Sequence, residues 1–95
     1  MTDGDRIVRH VSVSGLVQGV GFRASAQSNA NSLGLSGWAR NEPDGSVTLE
    51  IEGSGNKVDA LVEWCRTGPP SARVDNVVVL TLTPTYDRSP FKIAD

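Results

Sequence analysis

Residues 15–23 read GLVQGVGFR, and they hold the side-chain and backbone types best suited to gripping an anion. Gly15, Gly19 and Gly21 have no Cβ, so the chain can take torsions and approach distances that other residues forbid. Between and beside them stand Leu16, Val17, Gln18, Val20 and Phe22. A backbone curled this tightly aims several N–H groups at one point, and a helix beginning near Phe22 adds the partial positive charge of its first turn. Arg23, one residue into that helix, carries a planar fork that matches a phosphoryl group. Each charge-assisted hydrogen bond made there is worth roughly 1.5–3 kcal/mol. The chemistry implied is capture of a phosphate-like anion. Glycine spacing by itself fits equally well an ordinary strand-to-helix turn with Arg23 as a solvated charge. The run also lacks the Lys and Ser/Thr of a nucleotide P-loop and the downstream acidic residue of a dinucleotide fold.

The flanking elements must position this turn. Residues 7–14 alternate, with Ile7, Arg9, Val11 and Val13 on one face and Val8, His10 and Ser12 on the other, which predicts a strand. Phe22, Ala26, Ala30 and Leu33 recur at helical spacing, and Gly34 follows where a left-handed C-terminal cap belongs. The interior of that helix, rich in Asn and Ser, is poor in strong helix formers, so its last turn is expected to fray unless packing holds it. Residues 35–41 and 46–52 flank the turn EPDG and predict a hairpin, with Val47, Leu49 and Ile51 sharing a face. Asn56 is placed to cap a second helix with the apolar stripe Val58, Leu61, Val62 and Cys65, which GPP at 68–70 stops. A β-rich strand follows over 74–83, then a loop over 84–90, and FKI at 91–93 adds a short edge strand. The order is that of an α+β, ferredoxin-like βαββαβ sandwich: a mixed or antiparallel sheet of four to five strands with two helices on one face. In that topology the first two strands run the same way, so the ends near Gly15 and Asn41 meet at one rim.

Ninety-five residues suffice for a single domain over 1–95 with one core. A hydrophobic content of 38% and a charged content of 21% are ordinary for a globular chain, and the net charge of −2 gives no general attraction to nucleic acid or anionic lipid. The sequence has no charged-apolar-small leader and no apolar run of bilayer-spanning length, which makes the cytoplasm the expected compartment. One cysteine and one histidine, Cys65 and His10, fall short of a zinc site, so no metal or cofactor is expected. His10 reads as a half-exposed sheet residue and Cys65 as a buried structural thiol. Trp38 and Arg40 fall on the face of their strand opposite Asn41, and Glu42 and Asp44 read as turn chemistry rather than an acid/base pair.

GLVQGVGFR is similar to the signature of the acylphosphatase family, matched at Gly15, Val17, Gln18, Gly19, Val20, Phe22 and Arg23. A second signature of that family is reproduced by GWARN at 37–41 followed by Gly45, Val47 and Gly53. The resemblance extends over nearly the whole chain. It implies an enzyme that hydrolyses the carboxyl-phosphate bond of small acyl phosphates, releasing a carboxylate and inorganic phosphate without metal or covalent intermediate; a monomer is the default expectation. By the same resemblance Arg23 clasps the phosphate, the turn of residues 15–22 (Gly15, Leu16, Val17, Gln18, Gly19, Val20, Gly21, Phe22) holds its oxygens and shapes the cradle, and Asn41 orients the attacking water. An acyl phosphate is already activated, so alignment and charge stabilisation are enough. Two rivals share the fold order. An RNA-recognition domain needs sheet aromatics that 7–14 and 46–52 lack. A non-hydrolytic relative of domains in hydrogenase maturation proteins differs only in turnover.

Overall fold

Alternation extends further than the sequence pattern indicated: the first strand, β1 (Arg6–Leu16), gains residues at both ends. In the computed structural model, which describes residues 5–94, it is followed by α1 (Phe22–Ser32), β2 (Ser36–Asn41), β3 (Val47–Ser54), α2 (Gly55–Cys65), β4 (Arg73–Leu82) and β5 (Lys92–Ile93). The start of the polar lead-in, residues 1–4, and residue 95 lie outside the described residues. One mixed sheet runs in the order β4-β1-β3-β2-β5. β3 pairs antiparallel with both β1 and β2, so β1 and β2 run parallel to each other with β3 between them, as the ferredoxin-like order requires.

The two faces of the sheet divide as the alternation predicts. Val11, Val13, Ala39, Val47, Leu49 and Ile51 are buried with Phe22, Ala26 and Ala30 of α1 and Val58, Leu61, Val62 and Cys65 of α2. Each fully buried large aliphatic contributes roughly 1.5–3 kcal/mol. Burial pushes the Cys65 thiol up to about 12, which leaves it a neutral core group at physiological pH. The opposite face carries His10 beside Glu50 (Nδ1 to Oε2, 3.2 Å) and edge-on to Trp38. The Arg40 guanidinium lies over the Trp38 ring at 4.8 Å.

The weak first helix is secured at its C-terminus. Leu35 N donates to Ala30 O and Gly34 N to Asn31 O, a Schellman closure with Gly34 left-handed at φ 70°. Asn31 then brackets the backbone of Phe91, receiving its N–H at 2.9 Å and donating to its carbonyl at 3.3 Å. The residues that make α1 a poor isolated helix therefore fasten β5 to it, which opposes the expected fraying. At α2 the helix starts at Gly55, two residues earlier than a cap at Asn56 implies. Ser54 occupies the N-cap without a side-chain cap bond, and Asn56 lies inside the first turn. β3 passes into α2 without a loop, and the Ser54 hydroxyl donates to Asn56 Oδ1 instead.

Residues 84–90, expected only as a connector, fold back over one end of the open face. Glu52 is 5% exposed there and accepts from Arg6 Nε (2.9 Å), Thr85 Oγ1 (2.6 Å) and the backbone N–H of Tyr86 (2.6 Å). Tyr86 is held at φ 62°, a left-handed conformation that its N–H bond to Glu52 helps to fix. Burial is the largest single influence on Glu52 and raises its pKa, but the donors Thr85, Arg6 and Tyr86 together hold the carboxyl below its ordinary 4.5. A depressed carboxyl stabilises the fold above its unfolded pKa, and that contribution is lost as pH falls through the folded value. The urea midpoint should therefore drop as pH falls below about 4.5. In Glu52→Gln the decline should be shallower, and at neutral pH the variant should be less stable by about 3–5 kcal/mol because Arg6 loses its buried partner.

Candidate active site

β1 ends at Leu16 and α1 begins at Phe22, so residues 17–21 reverse the chain. Val17 and Phe22, each 1% exposed, pin both ends of the reversal in the core. Between them Gly19 (φ 75°) and Gly21 (φ 79°) take left-handed torsions with nothing crowding the missing Cβ, so their requirement is one of backbone shape and not of space. Gly21 is the N-cap of α1. No side chain caps this terminus and its first turn has no acidic residue, which leaves its positive end open to an external anion.

The reversal opens on a hollow of about 150 Å³. Six of the residues singled out from the sequence line it: Val17, Gly19, Gly21, Phe22, Arg23 and Asn41. Ala24 and Ile93 complete the lining. Ile93 arrives on β5, paired parallel with Ala39 of β2, and no local signal in the sequence places it there. Ala24 simply follows Arg23 in the first turn of α1.

Gly15, Leu16, Gln18 and Val20 are outside this lining. Gly15 belongs to β1, at an irregularity in the pairing with β4, at φ 127°; an added Cβ would lie 2.2 Å from the carbonyl oxygen of Arg73. Its glycine is thus required by strand packing. Leu16 is 51% exposed opposite Arg73 on the β4 side. Val20 packs half-buried against the core. The side-chain nitrogen of Gln18 is committed to the carbonyls of Glu42 (2.8 Å) and Ser46 (2.9 Å), so only its main chain is available to an anion in the turn.

Asn41 closes the far wall. It is the last residue of β2, paired with Val47, which in turn pairs with Val13 of β1. Among the described residues its Oδ1 is the one buried side-chain polar atom without a hydrogen-bond partner. An unpaired buried acceptor costs about 1–3 kcal/mol, an expense that fold stability does not explain. The adjoining carboxylates have local explanations. Hydrogen bonds from Thr48 and then Arg40 hold Glu42 below its usual range, and the Ser46 hydroxyl and N–H do the same for Asp44. Both are ionised turn groups, as their sequence setting indicated. Another hollow, of about 160 Å³, lies on the open sheet face, but Glu50, Glu52 and Asp87 line it and repel an anion. Among the described residues, the hollow at Arg23 combines a cation, an open helix terminus and a residue with a buried unpaired acceptor.

Comparison with known proteins identifies the family of the chain. The family model for acylphosphatase matches residues 9–93. An acylphosphatase of Anaeromyxobacter dehalogenans is 51% identical over 94% of this chain and 96% of its own. One from Methylococcus capsulatus is 51% identical over 88% of this chain and 91% of its own. The solved structure of an acylphosphatase from Coxiella burnetii superposes with a TM-score of 0.89 at 38% identity, covering 99% of this chain and all of that one.

Proposed function

The chain belongs to the acylphosphatase family and hydrolyses acyl phosphates to a carboxylate and inorganic phosphate, and from that premise we propose how its residues divide the work. Arg23 and the main-chain N–H groups of the 17–21 reversal hold the phosphoryl oxygens, aided by the positive end of α1. The Oδ1 of Asn41 accepts a hydrogen bond from water and aligns it with the phosphorus, opposite the departing carboxylate. Water attacks as the phosphorus–oxygen bond to the acyl group breaks. The leaving carboxylate is a weak base, so it needs no proton from the protein, and the attacking water's proton passes to the phosphate product or solvent. No side chain in the hollow is required as a nucleophile.

The observation that carries this reading is that Asn41, whose buried Oδ1 has no hydrogen-bond partner, lines one hollow together with Arg23 and the uncapped start of α1. Titration of the ¹⁵N-labelled protein with inorganic phosphate tests it. The largest amide shifts are expected at Gly19, Gly21, Phe22 and Arg23, with none at Glu50 or Glu52. Shifts centred on the open face would place the anion elsewhere. The same proposal takes the protein to act as a single-domain monomer over 1–95 in the cytoplasm, with no nucleic-acid or membrane partner. Among the described residues no helix is long and apolar enough to cross a membrane.

A further inference from the structure

We propose that Gln18 is a positioning residue for the attacking water: it sets the hairpin bearing Asn41 in register with the phosphate-holding reversal. The inference rests on the reading of Asn41 given above. Its starting point is a gap in the sheet. β1 feeds the reversal and β2 ends in Asn41, but β3 lies between them, so the two are separated by two inter-strand spacings, roughly 9–10 Å. No ladder hydrogen bond joins the phosphate-holding segment to the strand end that carries Asn41.

Gln18 spans that gap. Its amide nitrogen donates to Glu42 O at 2.8 Å and to Ser46 O at 2.9 Å. Glu42 directly follows Asn41, and Glu42 N donates to Ser46 O at 2.9 Å, so the two acceptors face each other across the base of the hairpin. One amide engaging both carbonyls fixes distance and orientation together. The hairpin is rigid on its own side: the Glu42 carboxylate is bound by Thr48 Oγ1 and by Arg40 Nε. At the other end Val17, beside Gln18, is buried in the core. A firm anchor on each side means that loss of the bridge is felt where the two meet, in the distance between Asn41 and the bound phosphate. In-line attack tolerates little error there, since a misplacement of about 1 Å can cost ~10²-fold in rate.

The test is a double-mutant cycle read on kcat, KM and inhibition by inorganic phosphate. Gln18→Met keeps the length of the side chain and removes both donated bonds; Gln18→Ala is its companion, and the urea midpoint of each confirms folding. Expected in both is a fall in kcat of ~10- to 100-fold with phosphate inhibition within about threefold of normal. In an Asn41→Ala background the same change at Gln18 should cost less than about threefold, because the group it positions is gone. Three results would overturn the inference: an unchanged kcat in Gln18→Met, a loss that persists in full without Asn41, or a loss confined to KM and phosphate inhibition. If Asn41→Ala alone keeps normal kcat, the reading of Asn41 fails. If Asn41→Ala is slow and Gln18→Met is not, only the role of Gln18 fails.

Discussion

Arg23→Ala should lose hydrolysis of benzoyl phosphate and inhibition by inorganic phosphate together. The guanidinium is the cation lining the hollow, and no other residue of that lining carries a charge. Two charge-assisted hydrogen bonds to phosphoryl oxygens contribute roughly 3–6 kcal/mol in sum, which corresponds to a fall in kcat/KM of about 10²–10⁴-fold. The guanidinium grips the phosphoryl charge in the bound substrate, which sets KM, and grips it more strongly as charge spreads over the equatorial oxygens in the transition state, so kcat should fall as well. Arg23→Lys should recover part of the binding and less of the turnover, since a point charge lacks the planar fork. Steady-state kinetics with a phosphate-release assay measures both quantities. Near-normal hydrolysis by Arg23→Ala would remove the basis for the proposed site.

Asn41→Ala should separate binding from turnover. The anion grip at Arg23 and the 17–21 reversal is untouched, so inorganic phosphate should inhibit about as before, while kcat falls by ~10²-fold or more for want of an aligned water. Stability should move the other way. Removing a buried acceptor that has no partner relieves part of its desolvation cost, so the unfolding free energy from urea titration should hold steady or rise by up to about 1 kcal/mol. Slow catalysis paired with undiminished stability is what a residue kept for chemistry produces. Weakened phosphate inhibition with intact turnover would contradict the assignment, because Asn41 would then be holding the anion and not the water.

The sequence determined a good deal of this protein by itself. Period-two alternation over 7–14 and 46–52 assigned each side chain to the core or the open face, because a strand presents its residues to opposite sides by geometry alone. The glycines at 15, 19 and 21 indicated a tight turn, and at 19 and 21 the structure uses them for left-handed torsions that few other residues tolerate. The strand and helix order requires the ends of β1 and β2 to share a rim, and thus brings Arg23 and Asn41 to the same end of the sheet. Tertiary structure alone decided what depends on partners distant in the chain. That Gly15 serves packing follows from the carbonyl of Arg73 on a neighbouring strand, and that the side chain of Gln18 faces the hairpin follows from acceptors 24 and 28 residues away. Ile93 reaches the hollow because β5 pairs with Ala39 of β2, more than fifty residues earlier in the chain, while Asn31 of α1 holds the nearby backbone of Phe91. Local pattern reports the torsions and faces a residue can adopt; which group it meets there is settled by how the whole sheet and its helices pack.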